Sequence, residues 1–394
     1  MRATAPVEDG RIVLRADRIL DGRGGITEAA TRIVVQPSNI ERIEPDDEGA
    51  VSYDLTGLTV MPGWIDTHVH IAHYVNADGR ATRGDDTAAQ SALFGLENAY
   101  RTLMAGVTTV QSIGSERDRD IRDAIARGGL PGPRLLTSLA WITEGSPEQI
   151  RETVRSRHRD GADLIKVLAS RSSRDGGGRT LDDAQLESAC DEARRLGLRS
   201  VVHAHSAASI EAAVRAGCGA ITHGTYATPE LLQLIAARGV FFEPQFLVTH
   251  HYLANKAQFL GIGNYTEAGF AFMEQNLPVK TAMFKQAAQV RGLKMVWGTD
   301  AVAGAHGSDA AEFIYRVRDG GQDAMAALMS AQSGAADALG LGDRLGSLKE
   351  GFEADIIALE GDPRADITAV TRVAFVMKGG RVYKNTVGKL SAKE

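Results

Sequence analysis

The sequence predicts an α/β protein in which eight strand–helix units form a (β/α)8 TIM barrel and the two chain ends form a small β-sandwich. Two observations support this fold class. Through the middle of the chain, apolar strand-like segments alternate with segments rich in Ala, Glu, Arg and Leu, which indicates a parallel sheet with crossover helices. Near both ends, short segments alternate apolar and polar residues, as half-buried strands do.

The terminal strand patterns are bounded by glycine-rich or acidic turns. They cover residues 11–15, 31–35 and 40–43 before the barrel and residues 354–359 and 373–383 after it. Because strands so few and short cannot hold a core alone, we expect residues 1–57 and 346–394 to pair into one composite β-sandwich. Residues 58–345 then form the barrel. The alternative is that the two ends form independent flaps.

Eight segments of the central region are candidate barrel strands. They are residues 60–68, 107–113, 133–138, 163–169, 199–205, 220–225, 240–246 and 294–300. A barrel of this kind uses about 250 residues, which a chain of 394 residues accommodates. Catalytic groups in such barrels lie at the C-terminal ends of the strands, so polar residues at those ends are the first functional candidates.

Composition and charge exclude several classes of protein. Hydrophobic residues make up 43% of the chain, charged residues 24%, and the net charge is −6, so no basic surface for nucleic acid is expected. No segment approaches the roughly 18 apolar residues of a membrane span, and no signal-like apolar core is visible. With only Cys190 and Cys218 present, we expect a reducing, cytoplasmic setting without a disulfide framework.

A His-X-His motif ends the first predicted barrel strand. His68 and His70 are two residues apart, so in a strand both imidazoles point to one face. Two neutral imidazoles on a rigid strand form half of a first-row metal site. Taken alone, the motif also fits chance or core packing, so its interpretation depends on ligands at the other strand ends.

Further ligand-type residues end the later strands. They are Lys166 on strand four, His203 and His205 on strand five, His223 on strand six and Asp300 on strand eight. Singly, each histidine could be a hydrogen-bonded core residue, and Asp300 could be a capping residue. Taken together, the core-residue and capping interpretations fail, because all these side chains would have to reach the same rim of the barrel by accident. The sequence therefore predicts a metal centre with Asp300 as a metal-linked general base.

Lys166 stands alone in an apolar strand. A buried ammonium without a partner is costly, which leaves two interpretations. Either the lysine pairs with a carboxylate across the barrel, or its amine is neutral and carboxylated by CO2. The resulting anionic carbamate could bridge two cations, and the neighbouring histidines favour this second interpretation.

These residues resemble the ligand series of the amidohydrolase superfamily. The residues concerned are His68, His70, Lys166, His203, His223 and Asp300. Segments 60–66, 223–225, 298–300 and 346–355 are similar to motifs of its imidazolonepropionase-like and prolidase-like (Xaa-Pro dipeptidase-related) branch. The resemblance implies a (β/α)8 barrel with a β-sandwich. It also implies two divalent metal ions, with Zn²⁺ the expected metal, bridged by a CO2-derived carbamate on the lysine.

The resemblance also implies a role for each ligand. The buried metal would be held by His68, His70 and Asp300, the more exposed metal by His203 and His223, and Lys166 would be shared. His203 rather than His205 matches the superfamily's strand-five ligand, which leaves His205 behind the ligands or facing the substrate. Prolidase-like members often carry a Gly-Gly-His stretch after strand three, which segment 137–145 lacks, so dipeptide specificity does not transfer directly.

We therefore expect a metal-dependent amidohydrolase that cleaves a C–N amide bond in a dipeptide or N-acyl amino acid, like a prolidase or carboxypeptidase. A metal-bridging hydroxide would attack the carbonyl, with Asp300 as general base and then acid. A cyclic-amide or lactam hydrolase with the same metals is the alternative. A single-metal deaminase fits less well, since no acid follows His203 closely and Lys166 would be idle. A non-catalytic metal-binding protein would have no use for Asp300 as a base.

Substrate contacts are expected from the segment 246–285. At about 40 residues it is far longer than a usual βα connection, and such segments often form lids. We expect His250 and Tyr252 of this segment, with His205 and Tyr226, to bind the substrate. The alternative is that the segment packs on the barrel or forms an oligomer contact. The expected partner is a small amide with a free carboxylate and an apolar or cyclic C-terminal residue. We expect no nucleic-acid or membrane partner, and a homo-oligomer.

Overall fold

A computed structural model describes residues 10–82 and 87–387 of the chain. The outermost parts of the predicted composite domain, residues 1–9 and 388–394, lie outside the described residues. Seven strands precede the central region: β1 (Ile12–Ala16), β2 (Ile19–Leu20), β3 (Ile26–Thr27), β4 (Thr31–Gln36), β5 (Asn39–Pro45), β6 (Tyr53–Asp54) and β7 (Leu58–Pro62).

The central region alternates strands and helices. Its strands are β8 (Trp64–Val69), β9 (Tyr74–Val75), β10 (Ala81–Thr82), β11 (Val107–Ser112), β12 (Arg134–Thr137), β13 (Trp141–Ile142), β14 (Leu164–Leu168), β15 (Arg199–Ala204), β16 (Ala220–His223), β17 (Phe241–Glu243) and β18 (Lys294–Met295). Each of the eight predicted barrel segments contains one of these strands, so the eight strand predictions are confirmed, whereas β13 was not predicted.

The helices follow the strands as crossover connections. They are α1 (Ala88–Met104), α2 (Asp118–Ala126), α3 (Pro147–Arg159), α4 (Asp183–Arg195), α5 (Ala207–Arg215), α6 (Pro229–Ala237), α7 (Leu247–Ala254), α8 (Lys256–Phe259), α9 (Glu267–Ala287), α10 (Ala311–Arg318), α11 (Ala324–Ser330) and α12 (Ser333–Ala338). Within residues 10–82 and 87–387, none of them combines the length and hydrophobicity that crossing a bilayer requires. Three strands close the described chain: β19 (Ile356–Glu360), β20 (Val373–Lys378) and β21 (Arg381–Asn385).

Apart from β9 and β10, which pair antiparallel with each other, the central strands form two parallel sheets. One has the order β12-β11-β8 and the other the order β13-β14-β15-β16-β17-β18. Backbone hydrogen bonds join the two sheets: Asp300 N to His68 O and His70 N to Ala301 O on one side, each 2.8 Å, and Asp163 N, just before β14, to Thr137 O, 2.8 Å, on the other. Parallel strands with crossover helices are the arrangement of barrel-type α/β proteins.

The first predicted strand divides at Gly63. Before it, β7 pairs antiparallel with β19, with Met61 opposite Ile357, whereas β8 pairs in parallel with β11. A Cβ atom on Gly63 would lie 2.3 Å from Cγ2 of Thr108, so glycine is needed where the chain passes this close. The prediction of one continuous strand over residues 60–68 is therefore wrong, because residues 60–62 belong to a terminal sheet.

Both chain ends contribute to one terminal sheet, of order β21-β20-β19-β7-β2-β3. A second sheet, β5-β4-β1-β6, comes from the N-terminal segment alone. Buried side chains of the two sheets share an apolar cluster that contains Leu14 and Ile33 from the second sheet and Val60, Ile356 and Phe375 from the first. The C-terminal strands therefore pair with N-terminal strands and do not form a separate flap.

The expectation of two reduced cysteines is wrong in this structure. Cys190 of α4 and Cys218, in the turn after α5, form a disulfide. The packing of α4 against α5 brings their Cα atoms to 5.1 Å, which is within the range that a disulfide can bridge. Cysteine usage therefore gives no argument for a reducing compartment.

The segment 246–285 is folded as α7, α8 and α9. Its aromatic and aliphatic side chains form an apolar cluster with residues that follow β18. The buried members are Val248, Tyr252, Phe259, Tyr265, Phe270, Met273, Val302 and Ala303. The segment therefore builds a wall over the C-terminal ends of the strands, where catalytic groups of barrel proteins lie.

A buried ion pair joins α10 to the strand ends. The side chains of Arg316 and Glu312 are both 0% exposed, with Nε of the arginine 2.8 Å from the carboxylate. Arg316 Nη2 also donates to the carbonyls of Pro244, at 2.7 Å, and Val296, at 2.9 Å. The second oxygen of Glu312 accepts the backbone N–H groups of two successive residues at the start of α7. The pair thus fixes the connection after β17.

We expect Arg316→Met to lower the free energy of unfolding by about 3–5 kcal/mol, because it leaves a buried carboxylate and two carbonyls without their donor. Urea unfolding followed by circular dichroism measures the change. Arg318→Met is the matched control, since Arg318 is exposed on the same helix and its loss should change stability by less than about 0.5 kcal/mol. Equal effects of the two variants would contradict this role for Arg316.

Candidate metal centre

The six predicted ligands converge on the floor of one cavity of about 310 Å³. They are His68, His70, Lys166, His203, His223 and Asp300. Four of them are supplied by β8, β14, β15 and β16, and the other two follow β8 and β18. The convergence arises because the C-terminal ends of neighbouring parallel strands meet at one edge of the sheet.

His68, His70 and Asp300 form the first cluster, with possible ligand atoms within 4.8 Å of one another. Oδ1 of the aspartate lies 3.4 Å from Nε2 of His68 and 3.0 Å from Nε2 of His70. Burial raises the pKa of Asp300, but the two imidazoles and Lys166 lower it, so that the net pKa lies below its ordinary value. An ionised carboxylate and two imidazoles directed at one point fit a divalent cation.

His203, His205 and His223 form the second cluster, again with possible ligand atoms within 4.8 Å. Burial lowers the pKa of His203 to about 3 and the pKa values of the other two well below their ordinary value. Neutral imidazole is the form that binds metal. Both strand-five histidines lie within reach of His223, so the choice of His203 as the ligand stays a prediction.

Lys166 is 2% exposed, and its Nζ donates to Oγ1 of Thr222 at 3.2 Å. Burial lowers the pKa of this amine to about 8. Its charge acts on His70 and Asp300 of the first cluster and on His203 of the second. In the part of the chain that the structure describes, no carboxylate forms an ion pair with Lys166, so the salt-bridge interpretation of this residue is not supported.

Two candidate ligands have a left-handed backbone. The φ angle is 72° at His223 and 53° at Asp300, in a region that costs a residue other than glycine roughly 1–3 kcal/mol. Such conformations persist where the surrounding structure imposes them, and they cluster at functional sites. The backbone at these strand ends therefore orients both side chains toward the cavity at some cost in stability.

Glu243 at the end of β17 is a site residue that was not predicted from the sequence. It is 2% exposed, and its Oε1 lies 2.7 Å from Nδ1 of His68. Its Oε2 accepts the hydroxyl of Thr67 at 2.6 Å. A Cβ atom on Gly298 would lie 2.5 Å from the Glu243 carboxyl carbon, so only glycine leaves room for this group. A carboxylate behind a ligating histidine fixes the tautomer and orientation of its ring.

Gln245 extends this support to the second cluster. Its Nε2 donates to Oε1 of Glu243 at 3.1 Å, and its Oε1 lies 3.2 Å from Nδ1 of His223. One hydrogen-bonded chain thus orients a histidine of each cluster. The sequence carried a signal for Glu243, because it is an isolated charge after the apolar residues 240–242, as Lys166 is in its own strand.

The structure brings two of the four predicted substrate residues to the cavity. His205 and Tyr252 line it, whereas Tyr226 and His250 are not among the described residues that do. The hydroxyl of Tyr226 donates to Oδ1 of Asn276 at 3.0 Å. The ring of His250 stacks on Tyr315, with the ring centroids 4.0 Å apart. Both side chains are therefore engaged away from the predicted ligands.

Other residues that line the cavity were not predicted as site residues, among them Trp141, Arg171, Thr249 and Lys280. The edge of Trp141 faces His70, with the ring centroids 6.1 Å apart. Lys280 carried a sequence signal, because it shares a helical face with Met273 and Phe284, which are seven and four residues away. A charge on an apolar helix face indicates a special environment.

Comparison with known proteins agrees with this arrangement. Residues 59–383 match the Amidohydrolase family, and the chain belongs to that family. Ochratoxinase from Aspergillus niger is 27% identical over 380 residues, covering 82% of this chain and 75% of the relative.

Solved structures give the same result. A Xaa-Pro dipeptidase with bound methionine in the active site has a TM-score of 0.85 and 26% identity, covering 95% of this chain and 100% of that chain. The structure of A. niger ochratoxinase has a TM-score of 0.83 and 22% identity, covering 96% of both chains. The expected superfamily and its prolidase-like branch are confirmed, with a TIM-barrel-type α/β fold. The family and these relatives support an amide-bond hydrolase.

We expect Glu243→Ala to weaken divalent-metal binding about 10- to 100-fold, because the His68 ring loses the carboxylate that orients it. Competition with a chromophoric chelator measures the affinity. Glu274→Ala, at an exposed position of α9, is the control and should bind metal as the wild type does. Unchanged affinity in the Glu243 variant would show that the carboxylate does not orient a ligand.

Proposed function

We propose that the protein is a binuclear metal-dependent amidohydrolase that cleaves the C–N amide bond of a dipeptide or N-acyl amino acid. The observation that carries this proposal is the pair of three-residue clusters on the floor of one cavity, with the charge of Lys166 acting on both. A protein that only stored a metal would need one cluster and no open cavity beside it.

The donor sets fit two divalent cations. His68, His70 and Asp300 would hold one ion, and His203 and His223 would hold the other. Imidazole and carboxylate ligands of this kind suit Zn²⁺. Lys166, carboxylated by CO2, would be shared. The carbamate would give a role to a buried amine that has no ion-pair partner among residues 10–82 and 87–387. When bound, the two ions supply the Lewis acidity that polarises a carbonyl and makes water nucleophilic near neutral pH.

Asp300 would move the proton during hydrolysis. Its pKa lies below the ordinary value because of the adjacent imidazoles, so the carboxylate is ionised and able to accept a proton from the attacking water. It would then donate that proton to the leaving nitrogen of the amide, as a general acid. The left-handed backbone at this residue supports a role that depends on exact orientation of the side chain.

The upper part of the cavity favours an apolar amino-acid derivative. Side chains of the segment 246–285 form its apolar wall, and the cations Arg171, Arg174 and Lys280 also line it. A relative named a Xaa-Pro dipeptidase holds methionine in its active site, which supports a ligand with a free carboxylate here. A cyclic amide without a charge would leave these cations unused and is the second candidate.

We also infer that the two central sheets close into one (β/α)8 barrel, since hydrogen bonds run between both pairs of edges. The shared apolar cluster of the terminal sheets supports a β-sandwich. The homo-oligomeric state stays a prediction.

Metal content and hydrolysis test the proposal together. We expect about two divalent ions per chain by plasma emission spectrometry. From a panel of N-acyl amino acids, dipeptides and lactams, we expect release of free amino acid from the first two classes. His68→Ala and His223→Ala should lose metal and activity together. His158→Ala, at an exposed position, should keep both. Lactams as the only compounds cleaved would favour the second candidate, and metal without hydrolysis of any amide would favour a binding protein.

We expect Asp300→Asn to lower turnover by at least about 10²-fold, because the amide cannot accept and return the proton. Steady-state kinetics on the best substrate of the panel measures the effect, with metal content and thermal midpoint as controls for the site and the fold. Turnover within a few-fold of the wild type would show that Asp300 is a ligand or structural group and not the base.

A further inference from the structure

Lys280 of α9 lines the cavity, although only 7% of its surface is exposed. Its Nζ donates to Oγ1 of Thr249, on α7, at 3.0 Å. Across residues 10–82 and 87–387, this neutral hydroxyl is the hydrogen-bond partner of the amine, and no carboxylate lies within ion-pair distance of it. Lys280 is therefore a buried cation that faces the substrate space without a counter-charge.

The carboxylates that act on Lys280 from a distance have other partners. They are Glu312 and Asp300. Both oxygens of Glu312 are bound, one by Arg316 and the other by the backbone at the start of α7. Asp300 lies against the imidazoles of the first metal-ligand cluster. Glu312 cannot move to Lys280 without leaving Arg316 unpaired, and Asp300 cannot do so without leaving the first cluster.

This isolation has a cost in the free protein. Burial lowers the pKa of Lys280 to about 8, because a charged amine away from water is unfavourable unless it is paired. A ligand carboxylate that enters the cavity would provide the missing partner in a largely desolvated position. Charge-assisted hydrogen bonds in such positions are stronger than neutral ones.

Lys166 lies among the candidate metal ligands, and the two remaining cations that line the cavity are less suited to this role. Arg174 lies over the ring of Tyr265, at 3.9 Å from the ring centroid, and its Nε donates to Asn264 at 3.3 Å. Arg171 is exposed, where water weakens an ion pair. Of the three cations outside the candidate metal ligands, Lys280 is the one that is buried and that donates, within the described chain, to one neutral hydroxyl.

We propose that Lys280 and Thr249 bind the α-carboxylate of an N-acyl amino acid or dipeptide. This assignment rests on the proposed function. Nζ of the lysine donates to one carboxylate oxygen, and the hydroxyl of Thr249, whose oxygen accepts from Lys280, donates its own proton to the carboxylate. The apolar side chain of the substrate then lies against Val248, Met273 and Val302, which line the cavity and belong to the same apolar cluster.

Binding of L-methionine and L-methioninamide to the metal-loaded full-length protein tests this site by titration calorimetry. The two probes share a side chain and differ in the carboxylate. We expect the wild type to bind L-methionine about ten- to a hundredfold more tightly, the scale of a charged hydrogen bond. In Lys280→Met and Lys280→Gln this preference should fall to within about threefold. The glutamine variant is included because its side-chain amide can still contact Thr249.

Lys285→Met is the matched control, because Lys285 is exposed on the same helix and should keep the full preference. Thermal midpoints of both Lys280 variants should equal or exceed that of the wild type, since each removes an unpaired buried ammonium. A preference that survives in both variants overturns the proposal. Loss of the preference in Arg171→Met, with the preference kept in the Lys280 variants, also overturns the proposal. Unfolding of both Lys280 variants overturns it too, because it would show that Lys280 is needed for the fold.

Hydrolysis of N-acetyl-L-methionine separates this proposal from the proposed function. If L-methionine is preferred in a Lys280-dependent way but no amide in the panel is hydrolysed, the proposed hydrolase function is rejected and the proposed carboxylate site is retained. Hydrolysis with the same kcat/KM in the wild type and both Lys280 variants would keep the hydrolase and reject the site. With both proposals correct, kcat/KM for N-acetyl-L-methionine falls about ten- to a hundredfold in the Lys280 variants and is unchanged in Lys285→Met.

Discussion

Burial of ionisable side chains is the constraint on which this structure depends. At the C-terminal ends of the parallel strands, imidazoles, carboxylates and an amine are held away from water, where each needs a partner. The contact between His68 and Glu243 meets that need at the first cluster, and Gln245 links the same carboxylate to His223. Gly298 leaves the space that Glu243 occupies. A residue without a side chain is thus as necessary to the site as its ligands.

Two lysines show different consequences of the same constraint. Lys166 and Lys280 are both buried, both donate to a threonine hydroxyl, and burial lowers the pKa of each to about 8. Lys166 lies among the candidate metal ligands, whereas Lys280 lies beside the wall built by the segment 246–285. Amines kept in this state reduce the stability of the free protein, and enzymes accept such a cost where a group must be ready for a ligand. One lysine thus lies at the floor of the cavity and the other at its wall, the two places to which we assign reaction and substrate recognition in our proposals.

Much of the fold was predictable because hydrophobic periodicity is local. The eight central strands were found from short apolar segments followed by helical patterns. The division at Gly63 was not, because the Pro62-Gly63 pair does not by itself show that β7 and β8 pair with different sheets, through β19 and β11. The disulfide between Cys190 and Cys218 was missed for a related reason. Its formation depends on how α4 and α5 pack, which spacing along the chain does not reveal.

The sequence by itself indicated the ligand-type residues that line the cavity floor, with both His203 and His205 among them, since each lies in or just after a predicted strand and parallel strands end at one rim. The choice of six among them came from the family resemblance. Only the tertiary structure decided which other side chains meet them. Glu243 supports His68 from a strand about 175 residues away, and Lys280 reaches the cavity because α9 folds back over the barrel. Tyr226 and His250 are near the right elements in sequence, yet their side chains contact Asn276 and Tyr315. Strand ends are set by local pattern, whereas the direction of a side chain on a long insertion depends on packing that the whole chain determines.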